Sequence, residues 1–154
     1  MNARLRRLNA DYELAQRAFA NHPYISLVQT EGTPPEKYTF AIRVEGLVPT
    51  GEDGFTPCAV HQAEIFLPMD YPRRQPFCRM TTPVFHPNID PQKICIGDHW
   101  SAGQSLVQMV LRIAEMICYQ SYNLKSPLNA KAAAWAEKNV NALPLQKADL
   151  SAGL

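Results

Sequence analysis

The sequence has little net charge, no long apolar run and no closely paired cysteines. Its 154 residues carry a formal net charge of +1, which gives no overall attraction to nucleic acid or to an acidic membrane surface. No segment is long and apolar enough to predict a membrane-spanning helix, and the basic N-terminal residues lack the apolar stretch of a signal peptide. We therefore expect a cytoplasmic protein with neither nucleic acid nor membrane as a partner.

The cysteines, at positions 58, 78, 95 and 118, form no Cys-x-x-Cys pair. This spacing argues against a zinc site, and we predict reduced thiols. Metal binding by His86, His99 and Cys95 is a further possibility, but these residues lack a recognised ligand spacing. Because a glycine-rich phosphate loop is also missing, we predict no metal and no cofactor.

Length and composition indicate one domain. The chain is 46% hydrophobic and 19% charged, which is typical of a folded protein with a sizeable core. No internal repeat is visible. We predict a single domain over residues 1–154, with its core between roughly residues 2 and 140.

Helical spacing of apolar residues appears in three segments. Residues 2–20 predict an amphipathic first helix, in which Arg4 and Arg7 lie off the apolar stripe and form either a solvated face or a docking site. Residues 106–118 are apolar over most of the helix circumference and predict a central buried helix. A third helix is predicted from Ser126-Pro127 to about residue 139, with the proline in its first turn.

Strand patterns lie between the first two helices. Residues 37–44 alternate apolar and polar side chains, as a strand with one buried face does. Residues 24–29 and 58–67 predict two more strands and residues 79–82 a short fourth, whereas residues 49–57 are predicted to be a turn-rich connection. Short connections favour an antiparallel meander packed on helices, an α+β fold.

The chemistry of the chain is concentrated in His86-Pro87-Asn88 and Ile94-Cys95-Ile96. Cys95 offers a thiol nucleophile, and Asn88 offers a carboxamide on a turn stiffened by proline. Together they suit acyl transfer through a thioester. A cysteine between two isoleucines is more often a buried hydrophobe, but Cys95 follows a loop, where residues that carry chemistry tend to lie.

These motifs, with others in the same order, resemble the ubiquitin-conjugating enzyme family. The resemblance spans roughly residues 11–139 and implies an N-terminal helix, a four-stranded antiparallel meander, a central helix and a C-terminal helix. This is the order that the periodicity predicts independently. The motifs that carry it are Leu67-Pro68-Met69-Asp70-Tyr71-Pro72 with Pro76, His86-Pro87-Asn88, Ile94-Cys95, Trp100-Ser101 and Pro127-Leu128.

The resemblance also implies a function. Cys95 would accept a ubiquitin-like protein from an activating enzyme and pass it to an amine of a protein substrate, usually a lysine. Asn88 would hydrogen-bond either the oxyanion or the loop that positions it, and the sequence leaves both roles open. The implied active-site cleft contains His86, Pro87, Tyr122, Asn123 and Ser126, the first two as structural residues, and activating-enzyme docking is assigned to Arg4, Arg6 and Arg7.

The sequence departs from the family's pattern in several places. Ser126 stands where an acidic residue is often found, which puts deprotonation of the acceptor lysine in doubt. One residue is missing between Asn88 and Cys95, and Trp100 follows Cys95 sooner than is usual. Leu67 and residues 101–103 differ from the usual ligase-docking surface and make a ligase partner doubtful. These departures indicate a divergent branch, such as a bacterial conjugation system.

Two other interpretations stay open from the sequence. The first is a non-catalytic binding module of the same fold, which would hold a ubiquitin-like protein without forming a thioester. The second is a cysteine hydrolase that pairs Cys95 with His99, although no orienting residue is clearly placed for that pair.

Overall fold

Helices lie at both ends of the chain and strands lie between them. The computed structural model describes residues 2–96 and 100–154. In chain order the elements are α1 (Ala3–Phe19), β1 (Ile25–Gly32), β2 (Pro35–Ile42), β3 (Gly46–Thr50), β4 (Gly54–Cys58), β5 (His61–Phe66), β6 (Phe77–Met80), α2 (Leu106–Ile117) and α3 (Ala130–Lys138), followed by a short 3-10 helix at Val140–Ala142.

The main sheet has four antiparallel strands in the order β1-β2-β5-β6. Alternate residues of β2 face the helices, so that Tyr38 and Phe40 are fully buried. Ile65, which pairs with Tyr38 across the sheet, is buried on the same face. The predicted α+β fold, with its N-terminal helix, four-stranded antiparallel meander and later helices, is confirmed.

A two-stranded hairpin, β3–β4, is inserted between β2 and β5. The sequence prediction of a turn-rich connection over residues 49–57 was wrong here. Pro49 and Pro57 break the strand pattern in the sequence, yet a hairpin with two open edges tolerates proline. The tip is held by Lys131, whose Nζ lies 3.0 Å from the Glu52 carbonyl oxygen and 2.5 Å from Asp53 Oδ1.

Helix α2 is the buried centre of the domain, with eight of its twelve residues buried. It begins with a capping box in which the Ser105 hydroxyl accepts from the Gln108 backbone N–H and the Gln108 side chain accepts from the Ser105 N–H. Among the described residues, no helix has both the length and the apolar character needed to cross a membrane.

Helix α3 begins later than the sequence predicts. Its N-cap is Asn129, whose side chain accepts from the Ala132 backbone N–H at 3.0 Å, and Pro127 lies before the helix instead of in its first turn. The preceding residue, Ser126, has a positive φ of 49°, which breaks the helical path. Proline is favoured both in the first turn of a helix and in a β-turn. The sequence prediction therefore placed Pro127 in the helix, whereas this residue lies before the helix.

The segment after α3 packs back onto the domain. The Leu145 N–H donates to the Cys118 carbonyl at 2.8 Å, and His22 Nε2 lies 2.7 Å from the Leu150 carbonyl oxygen. Leu150 is 2% exposed and belongs to the main core. Apolar burial thus extends past residue 140, because isolated apolar residues in this tail contribute to the core without any helical or strand periodicity.

Arg4 and Arg7 of α1 do not form a solvated face, because both are half-buried and engaged in contacts within the fold. Arg7 Nε donates to Asp11 at 2.9 Å, its guanidinium lies over the Tyr71 ring, and it also reaches the carbonyl oxygens of Ala102 and Gln104. Arg4 is paired with Glu36 at 3.2 Å. These contacts tie α1 to the sheet and to the loop before α2.

Replacement of Asp11 with asparagine is expected to destabilise the fold. Asp11 is 3% exposed, and its carboxylate accepts from Arg7, from the Tyr71 hydroxyl and from the Leu106 backbone N–H at the start of α2. Hydrogen bonds to charged groups contribute about 1.5–3 kcal/mol, so Asp11→Asn should lower the free energy of unfolding by about 2 kcal/mol. In thermal melting this is a decrease of about 4–8 °C for a domain of this size.

The matched control for Asp11→Asn is Glu13→Gln, an exposed residue two positions along the same helix. It removes the same charge from a solvated side chain and should leave the melting temperature within about 1 °C of the wild type. Equal melting temperatures for the two variants would show that the buried network does not stabilise the fold.

Candidate functional site

Cys95 opens onto a groove of about 890 Å³. Of the four cysteines, all of which lie in the described residues, Cys95 alone is exposed, while Cys78 and Cys118 are buried and Cys58 is half-buried. The groove is lined by Asn88, Cys95, Ile96, Arg112, Met116, Ser121, Tyr122, Asn123, Leu124, Lys125 and Ser126.

The isoleucines beside Cys95 explain its exposure. Ile94 and Ile96 are 4% and 5% exposed and belong to the core. In an extended segment, alternate side chains point to opposite sides, so anchoring both isoleucines inward turns Cys95 outward. The Ile94 N–H donates to the Cys78 carbonyl and the Cys95 N–H donates to the Asn88 carbonyl, each at 2.9 Å.

The buried thiols are poor nucleophiles. Burial raises the pKa of Cys78 to about 12 and also raises the pKa of Cys118. Because the thiolate is the reactive form, and both thiols are enclosed, neither can take part in acyl transfer with a protein. The exposure of Cys95 makes it the accessible candidate.

His86 is held inside the domain as a neutral ring. It is fully buried, its Nδ1 accepts from the Asn88 backbone N–H at 3.0 Å, and its Nε2 lies 3.0 Å from the Ser121 carbonyl oxygen. Because a carbonyl oxygen can only accept a hydrogen bond, the ring proton must be on Nε2. Burial lowers the pKa of His86 to about 4, and both ring nitrogens are used. This geometry suits a structural residue and leaves no nitrogen to act as a base.

A pH-dependent stability is expected from His86. In the unfolded chain the ring gains a proton near its ordinary pKa of about 6.5, whereas the folded protein resists protonation until about pH 4. The unfolded state therefore binds more protons between these values, and the stability present above about pH 6.5 is lost as the pH falls. His61, whose pKa burial also lowers, acts in the same direction.

Thermal melting between about pH 7 and about pH 4.5 should show this loss of stability. Nuclear magnetic resonance of the His86 ring separates its contribution from that of other groups. Its ring shifts should stay constant down to about pH 5. A His86 ring that titrates near its ordinary pKa would contradict the prediction.

Asn88 joins the turn at residues 86–88 to the far wall of the groove. Its Nδ2 donates to the Asn123 carbonyl at 2.9 Å, and its Oδ1 accepts from the Asn123 backbone N–H at 2.8 Å. The Pro87 carbonyl accepts from the N–H groups of Leu128 and Asn129 at 2.8 and 3.1 Å. Together with His86, these bonds fix the segment from residue 121 to residue 129 beside Cys95.

The remaining predicted cleft residues also line the groove. Tyr122 is half-buried, with its ring 5.7 Å from that of Tyr119. The Asn123 side chain accepts from the Lys125 backbone N–H at 2.8 Å, and Ser126 is exposed at the end of this segment. The structure thus brings Cys95, Asn88, Tyr122, Asn123 and Ser126 together at the groove. His86 and Pro87 do not line it, but they bond the backbone of the segment that does.

The sequence analysis missed two cationic lining residues, Arg112 and Lys125. Lys125 directly precedes Ser126, so its place in the groove follows once that of Ser126 is assigned. Arg112 lies on α2 and is separated from Cys95 by seventeen positions. Only the packing of α2 against the site brings it there, and no local pattern in the sequence indicates it.

The metal and hydrolase interpretations depend on His99, which lies outside the described residues. Within residues 2–96 and 100–154, no group of three or more histidine, cysteine, aspartate or glutamate side chains could hold a metal ion. The described residues that line the groove include no histidine that could pair with Cys95.

Comparison with known proteins defines the class. The sequence profile described as "Ubiquitin-conjugating enzyme" matches residues 22–148. The chain therefore belongs to the ubiquitin-conjugating enzyme family.

Individual relatives are distant. The chain is 34% identical to ubiquitin-conjugating enzyme E2 N of Drosophila melanogaster over 89 residues, or 54% of this chain and 58% of that protein. It is 28% identical to ubiquitin-conjugating enzyme E2 G2 of Homo sapiens over 122 residues, or 66% of this chain and 73% of that protein. The match thus spans less than two thirds of the E2 N relative.

Proposed function

We propose that this chain is a conjugating transferase that accepts a ubiquitin-like protein from an activating enzyme as a thioester on Cys95. It then passes the modifier to an amine of a protein substrate, with lysine as the acceptor. The observation that carries the proposal is the exposure of Cys95 at a groove whose opposite wall is fixed by the turn at residues 86–88. Family membership supports the same chemistry.

The chemistry requires an accessible thiol and no strong base. The Cys95 thiolate attacks the carbonyl carbon of the incoming thioester, a new C–S bond forms, and the activating enzyme's thiol leaves. The acceptor amine then attacks the same carbon and releases Cys95. Because the acyl group arrives already activated, the neutral and enclosed His86 is not needed as a base. Asn88 acts as a positioning residue through the backbone of Asn123.

Docking of the activating enzyme is proposed for the exposed surface of α1 around Arg6. The contacts of Arg4 and Arg7 with the sheet and with the loop before α2 hold this helix in place. Leu67 is fully buried and cannot contribute to a docking surface, while residues 101–103 expose only small side chains. These features support the prediction that a ligase partner is doubtful.

The test is to load the protein and locate the acyl group. Ubiquitin carrying a C-terminal thioester of mercaptoethanesulfonate serves as the probe, since it reacts by thiol exchange without an activating enzyme. Free thiols are then blocked, the new thioester is cleaved with hydroxylamine, and the released thiol is labelled and mapped by mass spectrometry. Label on the Cys95 peptide supports the proposal, whereas label on Cys58 or no adduct overturns it.

The second candidate is a non-catalytic binding module of the same fold. Ser126 favours it, because no carboxylate stands at that end of the groove among the described residues. Such a module would bind ubiquitin-like proteins but would pass no ubiquitin to a lysine peptide, even where its exposed thiol exchanges with the probe. Discharge of the loaded protein to a lysine peptide therefore separates the two candidates.

A further inference from the structure

The groove beside Cys95 carries positive charge that the proposed reaction does not use. Arg112 is half-buried, Lys125 is exposed, and both line the groove. Within residues 2–96 and 100–154, neither side-chain head group forms a hydrogen bond or an ion pair. Glu115 interacts electrostatically with Arg112, but it is not among the described lining residues. The described lining residues thus include two cations and no carboxylate, while Glu115 offsets part of the charge of Arg112 from outside the groove.

The same groove offers no proton acceptor of suitable strength among its described lining residues. A lysine ammonium group must lose a proton before its nitrogen can attack a carbonyl carbon. The Ser126 hydroxyl, at the exit of the groove, is far less able than a carboxylate to accept that proton. Two cations nearby also repel an approaching ammonium group. Both features disfavour a lysine that arrives in neutral or basic surroundings.

On the basis of the proposed function, we infer that the preferred acceptor is a lysine flanked by aspartate or glutamate residues of the target protein. The flanking carboxylates pair with Arg112 and Lys125 and so bring the lysine toward Cys95. One of them also accepts the ammonium proton. The substrate thus supplies the acidic group that Ser126 does not, and Arg112 and Lys125 determine specificity.

The transfer step balances with these groups. The substrate carboxylate takes one proton from the lysine ammonium group, and the neutral nitrogen attacks the thioester carbonyl carbon. The C–N bond forms, the C–S bond breaks, and the sulfur of Cys95 leaves as a thiolate. The nitrogen loses a second proton as the amide forms, and the thiolate takes up one proton. One proton is released overall, and no oxidant or further reactant is required.

The test measures discharge of ubiquitin from wild-type protein loaded with the mercaptoethanesulfonate thioester. Three N-acetylated peptides each carry one lysine, flanked by aspartate and glutamate, by alanine and serine, or by arginine. An exposed ion pair changes an equilibrium by up to about fivefold, so two pairs should make the acidic peptide react about tenfold faster than the neutral one. The preference should fall between about 0.05 M and about 1 M salt, because salt screens exposed charges.

Variants assign the preference to the groove. Lys125→Ala and Arg112→Ala should each reduce it, and Lys125→Glu should favour the arginine-flanked peptide. Lys138→Ala, at an exposed position in the last turn of α3, is the matched control and should retain the wild-type preference. Equal discharge to all three peptides by the wild type, or a preference that survives both alanine variants, would overturn the inference. Failure to load Cys95 would instead count against the proposed function.

Discussion

Cys95→Ala is expected to abolish both thioester formation and transfer. Its thiol is the exposed one among the four cysteines, all of which are described. The described hydrogen bonds that hold its segment run through the backbone N–H groups of Ile94 and Cys95. The substitution should therefore remove the nucleophile without disturbing the fold. The measurement is a non-reducing gel and intact mass after incubation with the ubiquitin thioester, with thermal melting to check the fold.

Two further variants define the chemistry at this position. Cys95→Ser should form an adduct that resists thiols, because an oxygen ester is less reactive than a thioester, and Cys95→Lys should form a stable amide. Cys58→Ala is the matched control, since Cys58 is half-buried and its sulfur lies 3.4 Å from the Val60 carbonyl oxygen. A thiol-sensitive adduct that persists in Cys95→Ala and disappears in Cys58→Ala would show that Cys58 is the reacting cysteine and would contradict the prediction.

The order of helices and strands was predictable because burial and periodicity coincide in them. In β2 the alternation of Tyr38 and Phe40 with polar residues is the pattern of a half-buried strand, and the structure buries those two rings. The same holds for α2, whose apolar residues cover most of its circumference and whose buried residues do as well. When an element is buried by the rest of the fold, the spacing of its apolar residues indicates which of its faces is buried.

The β3–β4 hairpin and the start of α3 could not be predicted in the same way. Residues 54–57 are exposed, so no apolar alternation marks β4, and its stability comes in part from the Phe55 ring packed 4.7 Å from Phe85. The Ser126-Pro127 pair equally suits a turn and a helix start. Here the deciding contacts are the bonds of Leu128 and Asn129 to the Pro87 carbonyl, about forty positions earlier.

The candidate site shows the same limit. The His86-Pro87-Asn88 and Ile94-Cys95 motifs are local and could be found by inspection, and Tyr122, Asn123 and Ser126 follow from the family's pattern. The role of the flanking isoleucines could not be predicted from the sequence. Ile94-Cys95-Ile96 is compatible with a cysteine that points inward or outward until the burial of the isoleucines is known. Nor could the sequence show that Arg4 and Arg7 are engaged in contacts within the fold.

Asn88→Ala is expected to slow transfer from the loaded protein by about a hundredfold, the effect of misplacing a wall of the reaction site. The Asn88 carboxamide uses both ends to hold the Asn123 backbone, at 2.9 and 2.8 Å. Its loss leaves that carbonyl and that N–H without these partners, and the wall of the groove opposite Cys95 is no longer fixed. Because loading requires only an accessible thiol, formation of the ubiquitin thioester should be much less affected than its discharge to a lysine peptide.

Asn88→Asp is the informative comparison for this prediction. A carboxylate can still accept from the Asn123 N–H, but it cannot donate to the Asn123 carbonyl, and its second oxygen repels that carbonyl. Transfer by Asn88→Asp should therefore be impaired nearly as much as by Asn88→Ala. In Asn88→Ala the Asn123 amide should also exchange its hydrogen with solvent faster, because it has lost its acceptor. Unchanged exchange at Asn123 together with slow transfer would assign Asn88 to the oxyanion, while wild-type transfer rates in both variants would exclude either role.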